Sequence, residues 1–468
     1  MYALSGVYAG YYEVTRPWAS YKTLNEFAES RRKNLAPFLL ISRSISVLMG
    51  VLTVVWLYLL AARTAGRSTA LLASAFLAVS FLHVRDSHFG VTDTTMTGLV
   101  VLAVYEVVKW RESGTLSLAA RAGLAGGFAM STKYNGLGVA VPFAVAAADR
   151  LIAARRDRAA AASVFTSGLI FAALFAAVFC AGTFYMFIQP ERFWHDIAGQ
   201  SRTFAAGHGL WLPRGWLYHA IVTLPAALGW PIYLAGVAGM IWFLIRDFRR
   251  AIVLWAFPIA YYVVAGGGRT VFARYMLPDL PFLCLGAGYA CVQFVGLLTP
   301  ERAAWRRTAA ITSLGVLVAL PTAVKAVQID RLLNRTDNRV VVAKALEAIV
   351  PGAATIFHSG GAFGKIQFPA SPKLREVGFN EETGQFDGNA LPDWILIQRS
   401  PLPLYSEVPP QMPKLLSERY WLVHAFPVGD DRPRTYDPQD AFFLPLVGLE
   451  GLDRPGPSFE LYERTRVP

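Results

Sequence analysis

Between residues 37 and 328 the chain is a succession of apolar runs, several of them close to the ~20 residues an α-helix needs to cross a hydrocarbon layer. The runs fall at 37–62, 69–83, 92–109, 121–133, 137–150, 162–187, 222–246, 251–267, 276–297 and 308–328, which predicts eight to ten spanning helices. Such a chain is a polytopic α-helical membrane protein. Composition agrees: 54% of the 468 residues are hydrophobic and 16% are charged, against roughly a quarter charged in an ordinary soluble domain. The mean hydropathy is +0.39. The three cysteines, Cys180, Cys284 and Cys291, lie inside apolar runs, so neither a disulfide framework nor a Cys/His metal spacing is present.

The net charge of +12 is informative through its location. Alternate connections carry Arg63/Arg67, Lys109/Arg111, Arg150/Arg155/Arg156/Arg158, Arg246/Arg249/Arg250 and Arg302/Arg306/Arg307, and the positive-inside rule makes that side cytoplasmic. A basic charge placed this way points to a bilayer and not to nucleic acid. Residues 13–36 fall on the opposite side yet contain Arg31, Arg32 and Lys33, in conflict with the rule. Residues 1–36 are read as a juxtamembrane remnant outside the membrane and 37–328 as the helical membrane domain. By parity, residues 329–468 form an extracytoplasmic mixed α/β domain. In that last region Val342, Leu346, Ile349 and Val350 share a helical stripe with Asp337 as N-cap. Strand-like runs follow at 355–358, 394–398, 420–426 and 459–462.

Ionisable residues at the ends of spans are costly to place and so are functional candidates. Residues His83 to Asp93 hold two carboxylates, two imidazoles and a guanidinium; Asp86, Asp93, Arg85 and His88 are the candidates there. On one continuous helix Asp86 and Asp93 would lie about 10 Å apart along the axis, too far for a close acid–base pair. A break at Gly90 would instead free Asp93 to face a cavity while Asp86 pairs with Arg85. The polar turn 131–136 offers Lys133, Tyr134 and Asn135, with a snorkelling lysine as the alternative. Arg269, after three glycines, and Arg274-Tyr275 flank the entry to a later span, where guanidinium forks suit phosphate oxygens or anchor at the interface. The long connection 189–219 carries His195, Asp196, His208, Trp211, Arg214, Trp216 and His219, an interfacial aromatic belt or a sugar- or lipid-docking surface. The glycine run lacks the following Lys-Ser/Thr of a P-loop.

Residues 80–97, the stretch Gly123-Leu124-Ala125-Gly126-Gly127-Phe128-Ala129-Met130-Ser131-Thr132-Lys133-Tyr134-Asn135-Gly136, and Arg274-Tyr275-Met276-Leu277-Pro278 resemble the GT-C glycosyltransferases. In detail they resemble the dolichyl-phosphate-mannose protein mannosyltransferase and aminoarabinose transferase branch. The resemblance covers most of residues 35–300, and Arg335-Thr336-Asp337-Asn338-Arg339 resembles the junction into the soluble domain of prokaryotic members. It implies a multi-pass enzyme, in a prokaryotic plasma membrane, that moves a sugar from a polyprenyl- or dolichyl-phosphate donor to a glycan, lipid or protein acceptor on the extracytoplasmic face. No covalently bound cofactor is implied, and there is room for a divalent metal with unassigned ligands. A lipid-linked donor needs fixed cations at its phosphate, for which Lys133, Arg269 and Arg274 are candidates. The acceptor hydroxyl needs a carboxylate, for which Asp93 and Asp86 are candidates. Arg85, His88, Tyr134, Asn135, His208 and Tyr275 complete the expected substrate-binding set.

Relatives carry their principal acidic motif in a first external loop after a first spanning helix, and residues 1–36 resemble the remainder of that loop, with Glu13 and Glu26 not matching the motif. The expectation is therefore either a longer native chain or an inactive relative serving as a membrane subunit. A lipid or ion transporter or flippase is the rival reading; against it, no inverted repeat is present.

Overall fold

The computed structural model describes residues 2–299, 304–361, 363–368, 374–406 and 408–465. Two compact units divide the chain: Met1–Gly207 with Trp211–Ala326, and His208–Leu210 with Val327–Pro468.

The first unit begins with α1 (Tyr2–Thr15) and α2 (Leu24–Lys33), the latter opened by a capping box in which Thr23 and Glu26 satisfy each other's backbone N–H groups. Tyr12, Tyr21 and Phe27 bury their rings together there. The Arg31 guanidinium lies 5.6 Å from the Tyr21 ring centre and 5.8 Å from that of Phe27. One of the basic residues that conflict with the charge rule thus rests in an aromatic niche instead of standing as a loop charge.

Then follow α3 (Ala36–Ala65), α4 (Arg67–Ala78), α5 (Phe81–Ser87), α6 (Thr92–Ser113), α7 (Leu116–Thr132), α8 (Ala140–Ala153), α9 (Arg158–Gly182), α10 (Tyr185–Ile188) and α11 (Pro190–Ala206). The unit continues through α12 (Gly215–Tyr218), α13 (Leu224–Arg246), α14 (Phe248–Leu254), α15 (Ala256–Ala265), α16 (Leu280–Leu298) and most of α17 (Ala304–Leu333). Six segments are long and apolar enough to cross a membrane, or up to eight if the bent pairs α4–α5 (58°) and α14–α15 (43°) each count as one span. The eight to ten expected spans included α6 and α7, which do not pass. Helix α7 has only 17 residues, and α6 carries Glu106, Lys109 and Arg111. Helix α6 is the interior post of the unit, packed on α3, α7 and α8, with Met96, Val100, Val104, Val107 and Trp110 fully buried. A helix shielded from lipid by protein need not be apolar throughout, which is why its pattern was ambiguous.

The closest helix pairs meet through small residues, as membrane packing favours. A Cβ on Gly239 of α13 would collide with the Gly286 carbonyl of α16, and one on Gly127 of α7 would sit 2.7 Å from the Phe175 carbonyl of α9. At one end of the unit the basic residues converge. Arg63 meets Glu112 at 2.6 Å, Arg111 and Arg249 each meet Asp149 at 2.7 Å, and Arg250 donates to the Thr64 carbonyl at 3.3 Å. The ends of α3, α6 and α8 and the start of α14 therefore lie together, the grouping expected from charge; Arg302 of that group lies outside the described residues.

The second unit contains α18 (Asn338–Ile349), which Asp337 caps by accepting from the Arg339 N–H at 2.9 Å. Val342, Leu346 and Val350 are buried against a sheet, with Ile349 packed beside them. The strands are β1 (Thr355–His358), β2 (Arg375–Glu376), β3 (Phe379–Asn380), β4 (Gln385–Phe386), β5 (Trp394–Arg399), β6 (Tyr420–Phe426), β7 (Thr435–Tyr436), β8 (Pro445–Val447) and β9 (Ser458–Arg464), with α19 (Met412–Arg419) before β6. The main sheet has the order β2-β1-β5-β9-β6. Strand β1 runs parallel to both β2 and β5, while β9 is antiparallel to β5 and to β6. Edge strand β6 carries a bulge between Leu422 and His424. Pattern reading located α18 and four of these strands; the two- and three-residue strands and α19 are too short to leave a period in the sequence.

Candidate active site

Away from the basic end, the N-terminus of α6, the C-terminus of α7 and the turn Ala273–Asp279 bring their polar residues together. The segment His83–Asp93 is broken, not continuous. Helix α5 ends at Ser87, Gly90 lies in the connection, and α6 starts at Thr92 from an extended Val91. Two carboxylates seven residues apart thereby acquire different environments.

Asp86 is fully buried. Its Oδ1 accepts from Arg85 Nε at 3.1 Å and from Nη2 at 2.9 Å, and Arg85 is itself buried. This side-by-side pair leaves no isolated charge in the interior. Thr94 donates to the Asp86 carbonyl at 3.3 Å, tying the break to the first turn of α6. His88 bonds through Nδ1 to the Val84 carbonyl at 2.8 Å.

Asp93, in the first turn of α6, sits between two cations. Lys133 Nζ lies 2.5 Å from Oδ1 and Arg274 Nε 3.8 Å from Oδ2. The carboxylate's side chain is 3% exposed while both cations are 23% exposed, so the site opens on its positive side. Lys133 follows α7 with extended backbone and caps it through an N–H bond to the Ala129 carbonyl. The next turn folds back so tightly that a Cβ on Gly136 would collide with the backbone of Ala129 and Met130, and this aims Lys133 across to α6. Lys133 Nζ also lies 4.3 Å from the Tyr275 ring centre, and the Arg274 guanidinium 4.1 Å from that of Phe272. A carboxylate with an ammonium on one oxygen and a guanidinium beside the other is a preformed anion-recognition arrangement that a phosphate could join.

The structure thus brings together Asp93, Lys133, Arg274 and Tyr275 of the expected set. It turns others elsewhere. Arg269 donates to the Leu212 carbonyl at 2.8 Å and stacks 4.5 Å from the Trp211 ring. The Tyr134 hydroxyl lies 3.4 Å from that of Tyr185, with its ring edge-on to Phe179 and Phe193. Asn135, in the turn Tyr134–Val139, instead stays near the cluster: its side chain faces Tyr261, which lies within electrostatic range of Asp93 and Asp279. His208, with φ of 48°, belongs to the second unit.

Sequence reasoning missed Asp279, which ends the Arg274 turn with both carboxylate oxygens buried and without a hydrogen-bond partner among the described residues. The signal was there, an acid at the mouth of an apolar run five residues after Arg274. Among the described residues no group of three or more His, Cys, Asp or Glu side chains converges to hold a metal ion.

A helical unit with six to eight segments able to cross a membrane and a cation–carboxylate–cation cluster at one end, followed by a mixed α/β unit, is the architecture of a polytopic membrane protein. Residues 40–181 match the family described as dolichyl-phosphate-mannose-protein mannosyltransferase. That segment contains Asp93 and Lys133, and over it the resemblance to the protein mannosyltransferases holds. No curated protein matches the chain. Among solved structures, it is similar to the oligosaccharyltransferase AglB from Archaeoglobus fulgidus in complex with an inhibitory peptide and a dolichol-phosphate, at 13% identity and TM-score 0.45 over 68% of this chain and 51% of that one. It is also similar to ArnT from Cupriavidus metallidurans in the apo state, at 14% identity and TM-score 0.46 over 90% of this chain and 83% of that one. ArnT bound to undecaprenyl phosphate aligns at 16% identity and TM-score 0.40 over 68% of each chain. The chain spans about half the length of the archaeal oligosaccharyltransferase.

Proposed function

We propose that this protein is a membrane glycosyltransferase that moves a sugar from a polyprenyl-phosphate donor to an acceptor hydroxyl on the extracytoplasmic side. The observation that carries the reading is Asp93 held between Lys133 and Arg274 in a segment of protein-mannosyltransferase type. The cluster lies away from the end where Arg63, Arg111, Arg249 and Arg250 gather, and the positive-inside rule assigns that basic end to the cytoplasm.

In this reading the lipid chain stays in the bilayer while its phosphate settles against Lys133 and Arg274. Both cations act where charge develops, since the anomeric C–O bond breaks and the bonding electrons leave on the phosphate oxygen. The acceptor oxygen forms the new bond to the anomeric carbon and loses its proton to the Asp93 carboxylate. Tyr275 keeps the Lys133 ammonium positioned through its ring. Asp86, already satisfied by Arg85, holds the break that orients α6 and takes no part in the transfer.

The test pairs binding with turnover. Lys133→Ala and Arg274→Ala should weaken binding of undecaprenyl phosphate while the purified protein stays folded, and Asp93→Asn should abolish transfer without weakening that binding. Unchanged binding in both cation variants would remove them from the site, and turnover retained in the Asp93 variant would assign it to positioning alone.

A further inference from the structure

We infer that the second unit carries a saccharide-binding site of its own, in the cavity at the carboxyl ends of its parallel strands. The cavity measures about 610 Å³, inside the range of small-molecule sites. Its walls come from the residues that follow β1, β2 and β5, the three strands that run parallel. From β1 the chain turns to β2 on one side, whereas β5, on the other side, leads toward α19 and β6. Loops that leave neighbouring parallel strands in opposite directions open a crevice, the place where open α/β sheets bind ligands.

The chemistry of the lining selects the ligand class. Lys365 and Glu376 form an ion pair at 2.7 Å in the lining, and Glu381 adds a second acid. Among the described lining residues, one cation stands against two carboxylates, a set that disfavours a phosphate or a carboxylate ligand, and an ammonium ligand would meet Lys365. A neutral polyhydroxyl ring suits the set. Carboxylates accept from its hydroxyls, the ammonium donates to its oxygens, and Phe379 with Leu404 offers the apolar surface that its C–H face requires. The floor is shaped before any ligand enters, because Ser359 is locked by accepting the Gln398 N–H at 2.8 Å. The site belongs to the second unit and, on the proposed function, would hold a sugar unit of an acceptor or product glycan.

The full chain in lipid nanodiscs, which avoid sugar-headed detergents, tests this by saturation-transfer NMR against the methyl pyranosides of mannose, glucose, galactose and N-acetylglucosamine. At least one should show transfer to its ring C–H protons. Gly361→Leu is the blocking variant: Gly361 lines the cavity, and a Cβ there has its nearest neighbours, backbone atoms of Tyr405 and Leu404, at ordinary van der Waals distances of 3.6–3.7 Å. The signal should disappear in it at unchanged thermal stability. Glu376→Gln, which removes a charged acceptor without adding bulk, should weaken binding at least about tenfold. Absence of transfer with all four glycosides, equal signals in both variants, or displacement by inorganic phosphate or spermidine would overturn the inference. Asp93→Asn should bind the glycoside normally, so failure of the transferase reading and failure of this one give different results.

Discussion

At residue scale, the two acids of the broken segment do different work although they are chemically identical. Asp86 pairs with a buried guanidinium, and Asp86→Asn takes the carboxylate charge away from Arg85 in the interior. The expected loss is roughly 3–5 kcal/mol of stability, the cost of breaking a buried pair from one side; thermal unfolding in detergent reads it. Asp93→Asn should shift that midpoint far less, because Lys133 and Arg274 are both partly open to solvent. Spacing alone allows a helix or a break, and the Gly90 connection between α5 and α6 decides for the break. That Lys133 reaches Asp93 across 40 residues was not legible, because the polar turn 131–136 shows in the sequence but the helix it packs against does not. His358 makes the opposite kind of prediction. Buried at the end of β1, it is pushed down to about 3, chiefly by burial and then by Lys365. Between about pH 6.5 and 3 the unfolded chain binds a proton that the folded unit refuses, so stability rises with pH across that window and is lost as pH falls. The slope is at most about 1.4 kcal/mol per pH unit, and His358→Leu should flatten the acid limb in pH-dependent unfolding of the second unit.

At element scale, close helix pairing decides what the bundle tolerates. Helices α13 and α16 approach at Gly236, Gly239 and Gly286. Gly239→Leu should force them apart, with a cost of about 1–3 kcal/mol or more for overpacking. The measurement is the fraction of monodisperse protein after heating, and an unchanged midpoint would mean that the pair adjusts freely. Helices α3, α9 and α13 were legible because each meets lipid along much of its surface and must be apolar. Helix α6 was read as a span of the same kind because its apolar core residues dominate the window. Its charged positions make sense only once its neighbours are known. In the second unit α18 was legible from its stripe and its Asp337 cap, whereas β2 and β3, two residues each, are defined by the strands they pair with.

At the scale of the whole molecule, the charge pattern makes a topological prediction. A cysteine at Arg156, in the short exposed connection before α9, should resist a membrane-impermeant thiol reagent in intact cells, and one at Glu382 in the second unit should react. The reverse pattern would invert the orientation and move the Asp93 cluster to the cytoplasm. Charge grouping made the two ends of the bundle legible at this scale. The cavity of the second unit was not, because its lining is drawn from loops after three separate strands. The same unit has one edge with a consequence for handling the protein. Strand β6 is seven residues long, exposes Trp421 and Leu422, and ends the sheet. Its bulge breaks the regular ladder of N–H and C=O groups that a second copy would need in order to add a strand. An edge broken in this way is a poor template for a second copy, so a deletion of Val423 that regularises it should give edge-to-edge oligomers, read by size-exclusion chromatography, under conditions where the intact chain stays dispersed.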